Sequence, residues 1–418
     1  MRPDTIIFVA NSPGEISGWL LPLVHEARLR WPNCRLVLQL TLCEFASGAE
    51  ERISRELLGI EEVLSPYRYF DMLLRRMAHY KNPLIIHLGG DMFYSALLAK
   101  RWGVPLWIYV WGRKWLDRAF TGYFVRNDRD LQALQNCGIP LHKVKVVGDL
   151  VADATAFALE SQLQHRAEAG PARPDSSAKT GTGPLISFLP GSREHEVSGL
   201  SPFFMETAQQ IKAQIPDCRF QLIVSPFIKT GDIQRLTTQE PIPELGGVRC
   251  LYRDNCLSDG STTEIEIIHE DQLARLSASS LAVTIPGTKT SELGCLGIPM
   301  IAILPLNRPD RLPLTGLLGM LDFIPWLGQR LKKWLVIRFA KRSKLYALPN
   351  ILAQRKIVPE LVDILRSSSV AQEAVALLNN PDALRSQTRE LHKLYDGYKG
   401  TAKRIFDILG DDSQWPSI

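Results

Sequence analysis

The sequence predicts an α/β protein built from two doubly wound parallel-sheet domains. Its 418 residues exceed the usual size of one domain. Fully apolar strands alternate with helical segments, for example at 6–10 and 84–88 in the first half and at 185–189 in the second. This alternation is typical of a parallel sheet covered by helices on both faces. A Pro-, Ser-, Gly- and Thr-rich stretch at 170–183 separates the halves.

The elements follow one another in the order that such a fold requires. Strands of the first half are predicted at 6–10, 35–41, 84–88, 105–110 and 144–147, with helices at 20–30, 52–58, 69–80 and 94–102. Strands of the second half are predicted near 185, 219, 248, 281 and 300, and the stretch 358–409 is helical throughout in pattern. The predicted divisions are an N-terminal domain at 1–169, a flexible linker at 170–183, a C-terminal domain at 184–350 and C-terminal helices at 351–418.

Composition indicates a globular cytosolic protein, with 45% hydrophobic and 22% charged residues. No window approaches the roughly 18–20 apolar residues of a membrane span. The start of the chain enters a strand at once, which argues against a secretory signal. The seven cysteines are scattered without C-x-x-C spacing, so reduced thiols are expected. The net charge of +5 is too small to indicate a nucleic-acid partner by itself.

Two strand–glycine–helix turns mark the second half as a phosphate-binding domain. The first is the strand 185–189 followed by Pro190, Gly191, Ser192 and Arg193, and the second is the strand 281–285 followed by Pro286, Gly287 and Thr288. Backbone N–H groups at the start of a helix bind anions, and a guanidinium suits a phosphate. Two such turns predict a ligand that carries two phosphates and a sugar.

A third loop follows the first strand of the chain. It is rich in glycine and hydroxyl groups and contains Ser12, Gly14, Glu15, Ser17 and Gly18. It lacks the three glycines of the dinucleotide fingerprint, which disfavours a nicotinamide dehydrogenase. A well-capped strand-to-helix turn would explain the glycines and serines, but a turn has no need of the Glu15 carboxylate.

Asp91 follows the strand 84–88 through Gly89 and Gly90. A carboxylate at the carboxyl end of a central strand could act as a general base. It could equally be a helix N-cap, a common role of Asp. His87 lies inside the strand and is interpreted as a core histidine.

Two further patterns are interpreted as structural. Asp128 and Asp130 form a D-x-D, which holds a metal in some sugar-transfer enzymes, but here they precede a helix that acids in its first turn would stabilise. His195 is expected to be exposed on the helix that follows Arg193. We therefore predict no metal and no cofactor.

The segment 313–344 departs from the domain pattern. After Asp322 it has no acidic residue, while basic residues alternate with Trp, Leu and Phe. A basic helix with aromatic residues on its other face is typical of an interfacial membrane anchor. An amphipathic helix packed on the fold and a nucleic-acid surface are the alternatives. The predicted membrane contacts are Trp326, Lys332, Lys333, Trp334, Lys341 and Arg342.

Several of these segments resemble the lipid-A-disaccharide synthase family of glycosyltransferases. The similar family motifs are G-E-x-S-G at 14–18, V-G-H-x-x-A-D at 147–153, L-P-G-S-R-x-x-E at 189–196, S-G-T-x-x-x-E with a later G-x-P-M at 287–300, and L-P-N-x-L-A at 348–353. The motifs are spread over nearly the whole chain.

The chain departs from the family mainly on the acceptor side. The family's G-x-D-x-P-D-F-N region is represented only by Gly90-Asp91-Met92-Phe93, so one acidic position is absent. Trp19 stands where the family has Asp, Asp149 stands where it has His, an aromatic loop is replaced at 111–115, and 313–344 looks expanded. The pattern indicates retained sugar-nucleotide chemistry with a different acceptor.

The resemblance implies a fold of the GT-B type, two Rossmann-like domains facing a cleft with C-terminal helices packed on the N-terminal domain. It implies inverting, metal-independent transfer from a nucleotide sugar, by preference UDP-linked, to a membrane lipid. The donor would bind at Gly191, Ser192, Arg193, Gly287, Thr288 and Glu292, the last on the ribose. Asp91, or else Glu15, would be the base, and Ser12, Gly14, Ser17 and Gly18 would form the acceptor-side loop. A homodimer at the cytoplasmic face of the inner membrane is also implied.

Two other functional classes remain open at this stage. A sugar-nucleotide epimerase would use the same phosphate turns without a lipid acceptor. A non-catalytic protein would bind the nucleotide sugar but show no turnover.

Overall fold

The computed structural model describes residues 2–41, 49–56, 59–74, 79–110, 112–168, 182–307 and 345–411. These residues form two compact units. The first runs as far as Phe157 and resumes at Asp396, and the second comprises Ala158–Tyr395. The first unit therefore ends inside a helix, before the predicted boundary at 169, and the predicted block 351–418 is shared between the two units.

The first unit contains a seven-stranded parallel sheet with strand order β3-β2-β1-β4-β5-β6-β7. Its strands are β1 Thr5–Ala10, β2 Arg35–Leu40, β3 Glu62–Leu64, β4 Pro83–His87, β5 Leu106–Tyr109, β6 Gly122–Val125 and β7 Val144–Val146. Its helices are α1 Pro13–Glu15, α2 Leu21–Arg30, α3 Glu50–Glu56, α4 Tyr69–Leu74, α5 Met92–Trp102, α6 Asp128–Asn136 and the start of α7 Leu150–Glu168. A π-helical turn, Ile16–Leu20, joins α1 to α2.

The second unit contains an eight-stranded sheet with strand order β10-β11-β12-β9-β8-β13-β14-β15. Its strands are β8 Leu185–Leu189, β9 Arg219–Ile223, β10 Leu251–Arg253, β11 Cys256–Ser258, β12 Glu264–Ile268, β13 Leu281–Thr284, β14 Met300–Pro305 and β15 Glu360–Asp363. Its helices are α8 Glu194–Lys212, α9 Ile233–Thr237, α10 Gln272–Leu276, α11 Thr288–Cys295, α12 Leu348–Ala353, α13 Ser367–Leu378 and α14 Pro381–Tyr395. Only β11 pairs antiparallel, with β10 and β12 on its two sides.

The central strands are apolar because both faces of each sheet are covered. Every residue of β1 is buried, and β8 is buried after its first residue. Apolar side chains of the helices complete the core on each face, as in the packing of Phe188 on β8 against Phe204 on α8. The prediction of two doubly wound α/β halves is confirmed.

Both sheets have a point at which the strand order reverses. In the first unit, the chain leaves β1 for β2 and β3 on one side and returns to β4 on the other. In the second unit it leaves β8 for β9 and returns to β13 in the same manner. Open α/β sheets bind ligands beyond the carboxyl ends of the strands at such switch points. The loops after β1, β4, β8 and β13 are those that the sequence singled out.

Two predicted elements are wrong in detail. The stretch 358–409 contains β15, which pairs in parallel with β14, as well as helices. Its four residues are too few to interrupt the helical periodicity around them, so pairing at the sheet edge decides their conformation. The strand predicted near 248 is the β10–β11 hairpin, and β12 follows it.

Among the C-terminal helices, α13 and α14 belong to the second unit, and the last helix, α15 Thr401–Gly410, belongs to the first. Asp153 on α7 caps α15, because its carboxylate accepts hydrogen bonds from the backbone N–H groups of Gly400 (2.6 Å) and Ala402 (2.7 Å). The predicted packing of C-terminal helices on the N-terminal domain is therefore the packing of α15.

Candidate functional site

The turn after β1 is held together by Glu15. Its Oε2 accepts hydrogen bonds from the backbone N–H groups of Asn11 (2.8 Å) and Ser12 (3.2 Å). The carboxylate lies against Gly89, beyond the end of β4, where an added Cβ would overlap it. Glu15 thus ties the β1 turn to the glycine pair that precedes Asp91.

Burial raises the pKa of Glu15 from an ordinary 4.5 to about 7, although its hydrogen bonds to Asn11 and Ser12 oppose the shift. No Lys, Arg or His of the described residues forms a salt bridge with this carboxylate. Since the pKa is higher in the folded state, protonated Glu15 favours folding below pH 4.5. That stability is lost as the pH rises through 7.

Glu15→Gln is therefore expected to change the pH dependence of stability. Between pH 4.5 and 8 the wild type should lose on the order of 3 kcal/mol of unfolding free energy at this site, and the variant should not. Urea unfolding across this pH range measures the difference. Glu61→Gln is the control, because the pKa of Glu61 is shifted in the opposite direction. Burial tends to raise this pKa, but hydrogen bonds from Arg28 and Leu36 hold it low. Parallel pH profiles for wild type and Glu15→Gln would contradict the shift.

Asp91 lies at the same edge of the sheet and is exposed. It is the N-cap of α5, and its Oδ1 accepts a hydrogen bond from the backbone N–H of Phe93 at 2.9 Å. Gly90 has a φ of +89°, and a Cβ there would overlap Thr41 at the end of β2. Asp91 is thus the predicted N-cap, and this role is compatible with that of a general base because the capping carboxylate lies beyond the end of the sheet.

The other residues of the β1 turn have structural roles. Ser17 Oγ donates to the carbonyl of Pro13 at 2.9 Å. Gly18 is buried, and a Cβ there would lie 3.2 Å from Val151 on α7. Ser12 is the N-cap of α1, and Gly14 is partly exposed in the middle of that turn. Their assignment to an acceptor-side loop stays a prediction.

The turn after β8 repeats the device of the turn after β1. Glu196 Oε2 accepts from the backbone N–H groups of Ser192 (2.9 Å) and Arg193 (3.0 Å), and its Oε1 pairs with Arg193 Nη1 at 2.7 Å. Gly191 has a φ of +116°, and a Cβ there would overlap Glu196. The sequence predicts that the backbone N–H groups of this turn bind an anion. That prediction is wrong for Ser192 and Arg193, whose N–H groups donate to Glu196.

The turn after β13 lies beside it. β8 and β13 are neighbours, with Leu189 opposite Thr284. A Cβ on Gly191 would lie 2.7 Å from Ile285, so the two turns are in contact. Gly287 is the N-cap of α11, which begins at Thr288. The structure therefore brings the predicted donor-binding residues of both turns to one edge of the sheet.

Glu292 on α11 is nearly buried, at 7% exposure, and its Oε2 pairs with Lys289 Nζ at 2.7 Å. Sequence reasoning missed Lys289, although a cation two residues after Gly287 was a visible signal. The role of Glu292 on a ribose stays a prediction.

The residues expected to be structural are placed as follows. His87 is fully buried with its Nδ1 2.7 Å from Ser95 Oγ, and burial lowers its pKa to about 4. Asn127 caps α6, and Asp130 pairs with Arg126 at 2.7 Å. His195 is exposed. Among the described ranges, no cluster of three or more His, Cys, Asp or Glu side chains could hold a metal.

The segment around Asp149 joins strands to the last helix. Asp149 is buried and caps α7 through the N–H of Val151 at 3.0 Å, and burial raises its pKa. Tyr109 OH donates to the carbonyl of Gly148 (3.0 Å) and accepts from the N–H of Leu150 (2.9 Å). The V-G-D-L-V-A-D run therefore has a structural role: Asp149 caps α7, and Asp153 caps α15.

Apolar side chains are exposed on several segments of the first unit. The segments that carry them are the 3₁₀ helix Pro66–Arg68, α4, the start of α5 and the 3₁₀ helix Lys114–Ala119. The last three bury Tyr69, Met72, Met92 and Leu116 in one core cluster. Their outward side chains, which we call the aromatic face, are Tyr67 (82% exposed), Phe70 (64%), Leu74 (77%), Phe93 (47%) and Trp115 (65%).

The predicted membrane contacts Trp326, Lys332, Lys333, Trp334, Lys341 and Arg342 lie outside the described residues. Within the ranges that are described, no helix is both long enough and apolar enough to span a bilayer.

Known proteins with similar sequences align with almost the whole chain. No family model matches the chain. It is 24% identical to a lipid-A-disaccharide synthase of Pseudomonas putida, with 96% of this chain and 98% of the relative aligned. The corresponding protein of Pseudomonas entomophila is 27% identical over the same shares. The chain is thus similar to these synthases along almost its whole length, as its motifs predicted.

Solved structures share the architecture. UDP-GlcNAc 2-epimerase from Neisseria meningitidis, bound to UDP-GlcNAc, superposes with a TM-score of 0.57 at 14% identity, covering 97% of this chain and 99% of the epimerase. At that identity the likeness concerns the fold alone, which is of the GT-B type.

Proposed function

We propose that this protein is a glycosyltransferase that transfers a hexosyl group from a nucleoside diphosphate sugar, UDP-linked by preference, to a lipid at a membrane surface. The observation that carries the proposal is the pair of contacting glycine turns at the switch point between β8 and β13. Similarity to lipid-A-disaccharide synthases along almost the whole chain supports the same reaction class.

On the donor side, the pyrophosphate would lie against Gly191, Ser192, Arg193, Gly287 and Thr288. Since Glu196 binds the N–H groups of Ser192 and Arg193, we assign the phosphate contact to the Arg193 guanidinium and the start of α11. These positive groups stabilise the charge that develops on the departing nucleoside diphosphate, so the proposed transfer needs no metal. Glu292 would accept hydrogen bonds from the ribose.

On the acceptor side, we assign the general base to Asp91 and a supporting role to Glu15. Glu196 holds the matching turn in the second unit through both of its oxygens, and Glu15 binds the two backbone N–H groups of its own turn through Oε2. Asp91 is exposed and beyond the sheet edge. The acceptor hydroxyl attacks the anomeric carbon, Asp91 takes its proton, and the bond to the nucleoside diphosphate breaks, which inverts the anomeric configuration.

The aromatic face favours a lipid as the acceptor. Exposed aromatic and apolar side chains in one region mark interaction surfaces, and interfacial side chains of this kind insert at the headgroup level. Arg68 and Arg118 are exposed on these segments, Arg113 is exposed directly before Lys114, and all three would meet anionic headgroups. Together with the basic segment 313–344, this supports a peripheral location on the cytoplasmic membrane surface. The dimer implied by the resemblance stays a prediction.

The test is mass spectrometry of a bacterial membrane lipid extract incubated with the protein and a panel of nucleotide sugars. We expect a lipid whose mass increases by one hexosyl unit, together with release of nucleoside diphosphate. Phe70→Ser with Leu74→Ser should lower this lipid product severalfold and leave nucleotide binding unchanged. An isomerised nucleotide sugar formed without lipid would indicate an epimerase instead, and binding without turnover would indicate a non-catalytic protein.

A further inference from the structure

The two donor-side turns each carry one cation held by a carboxylate three residues later. Arg193 pairs with Glu196 and Lys289 pairs with Glu292, both at 2.7 Å. In both pairs the carboxylate is the more buried partner: the side chains of the cations are 27% and 26% exposed, against 14% and 10% for the carboxylates. The two turns therefore hold their cations outermost and in the same way.

The two cations belong to neighbouring strands. Arg193 follows β8 and Lys289 follows β13, and the turns touch through Gly191 and Ile285. The Glu292 carboxylate behind Lys289 fixes the position of its ammonium group, which carries three N–H donors. A diphosphate bound at these two adjoining turns offers one phosphate to the cation of each turn.

We propose that Lys289 is a second diphosphate-binding cation, which contacts the phosphate that Arg193 does not. This inference rests on the proposed donor site. Glu292 then has two partners. Its carboxylate pairs with Lys289, and it would also bind the ribose. When a diphosphate binds Lys289, that ion pair weakens and Glu292 becomes available to the ribose hydroxyls. Recognition of the phosphate and of the ribose are thereby coupled through one ion pair.

The experiment compares binding of UDP and of uridine by isothermal titration calorimetry, using the full chain. Lys289→Met should weaken UDP binding roughly ten- to hundredfold, the effect of a lost hydrogen bond to a charged group. Uridine binding should stay unchanged or become tighter, because Glu292 is released. Lys399→Met is the matched control: Lys399 also pairs with a carboxylate three residues away, Asp396 at 3.2 Å, but it lies in the first unit. It should bind both ligands like the wild type.

Stranding Glu292 could disturb α11, so Lys289→Met combined with Glu292→Gln is measured as well. A lowered ratio of UDP affinity to uridine affinity in both variants supports the role of Lys289. Recovery of the ratio in the double variant, or equal loss of UDP and uridine, overturns it. Unchanged UDP binding by Lys289→Met overturns the inference and leaves the proposed function standing. Failure of the wild type to bind any nucleoside diphosphate overturns both.

Discussion

Arg193→Ala should lower kcat/KM for the nucleotide sugar by about 10²- to 10³-fold, the usual effect of removing one preorganised donor to a developing negative charge. Arg193 is the cation of the β8 turn, where Glu196 pairs with it at 2.7 Å, and a guanidinium suits a phosphate. The variant also leaves Glu196 without its cation. Steady-state kinetics with the labelled donor and calorimetric binding of UDP measure both effects.

Arg235→Ala is the matched control for Arg193→Ala. Arg235 lies in the same unit and forms ion pairs with Glu194 (3.2 Å) and Asp232 (3.0 Å), but it is 55% exposed and its partners lie at the surface. Its loss should leave the kinetics unchanged. If Arg193→Ala bound UDP and turned over like the wild type with an unchanged unfolding transition, the donor-site assignment would fail.

Asp91→Asn should lower kcat about 10²- to 10⁴-fold, the usual contribution of a general base, and leave the KM for the donor unchanged. The substitution isolates the chemistry because Asn is as good an N-cap as Asp and keeps an oxygen for the N–H of Phe93. Thermal unfolding should therefore be that of the wild type. Single-turnover formation of the glycosylated lipid measures the chemical step.

Glu15→Gln is measured beside Asp91→Asn because it separates the two carboxylates. Its amide oxygen can still accept from the N–H groups of Asn11 and Ser12, so a supporting residue should tolerate the change better than a base. If Glu15→Gln loses kcat as a base would while Asp91→Asn retains it, the two roles are exchanged. The pKa of about 7 for Glu15 would then suit a base near neutral pH.

The candidate site could be predicted from sequence where it depends on local structure. An apolar strand, a glycine and a helix are adjacent in sequence, so the turns after β1, β8 and β13 were visible without tertiary information. The sequence alone does not distinguish a general base from an N-cap at Asp91, because both roles place an Asp at the start of a helix. β15 could not be predicted, since four residues have no periodicity of their own and pairing with β14 determines their conformation.

The partners of the charged side chains at the turns could be identified only from the tertiary structure. From their positions in motifs, Glu292 is predicted to bind the ribose and Asp91 or Glu15 to act as the base, while Glu196 has no predicted role. In the structure Glu196 binds its own turn and Glu292 pairs with Lys289. Which partner a carboxylate takes depends on side-chain direction and burial, and neither follows from the spacing of residues alone.

The sequence by itself determined the two α/β halves, the loops at the carboxyl ends of their strands and the similarity to lipid-A-disaccharide synthases. These follow from hydrophobic periodicity and from short motifs, which are local properties of the chain. Only the tertiary structure decided that β8 and β13 are neighbours and that Asp153 caps a helix beginning at Thr401. Such contacts join residues far apart in sequence, and packing of the whole unit selects them.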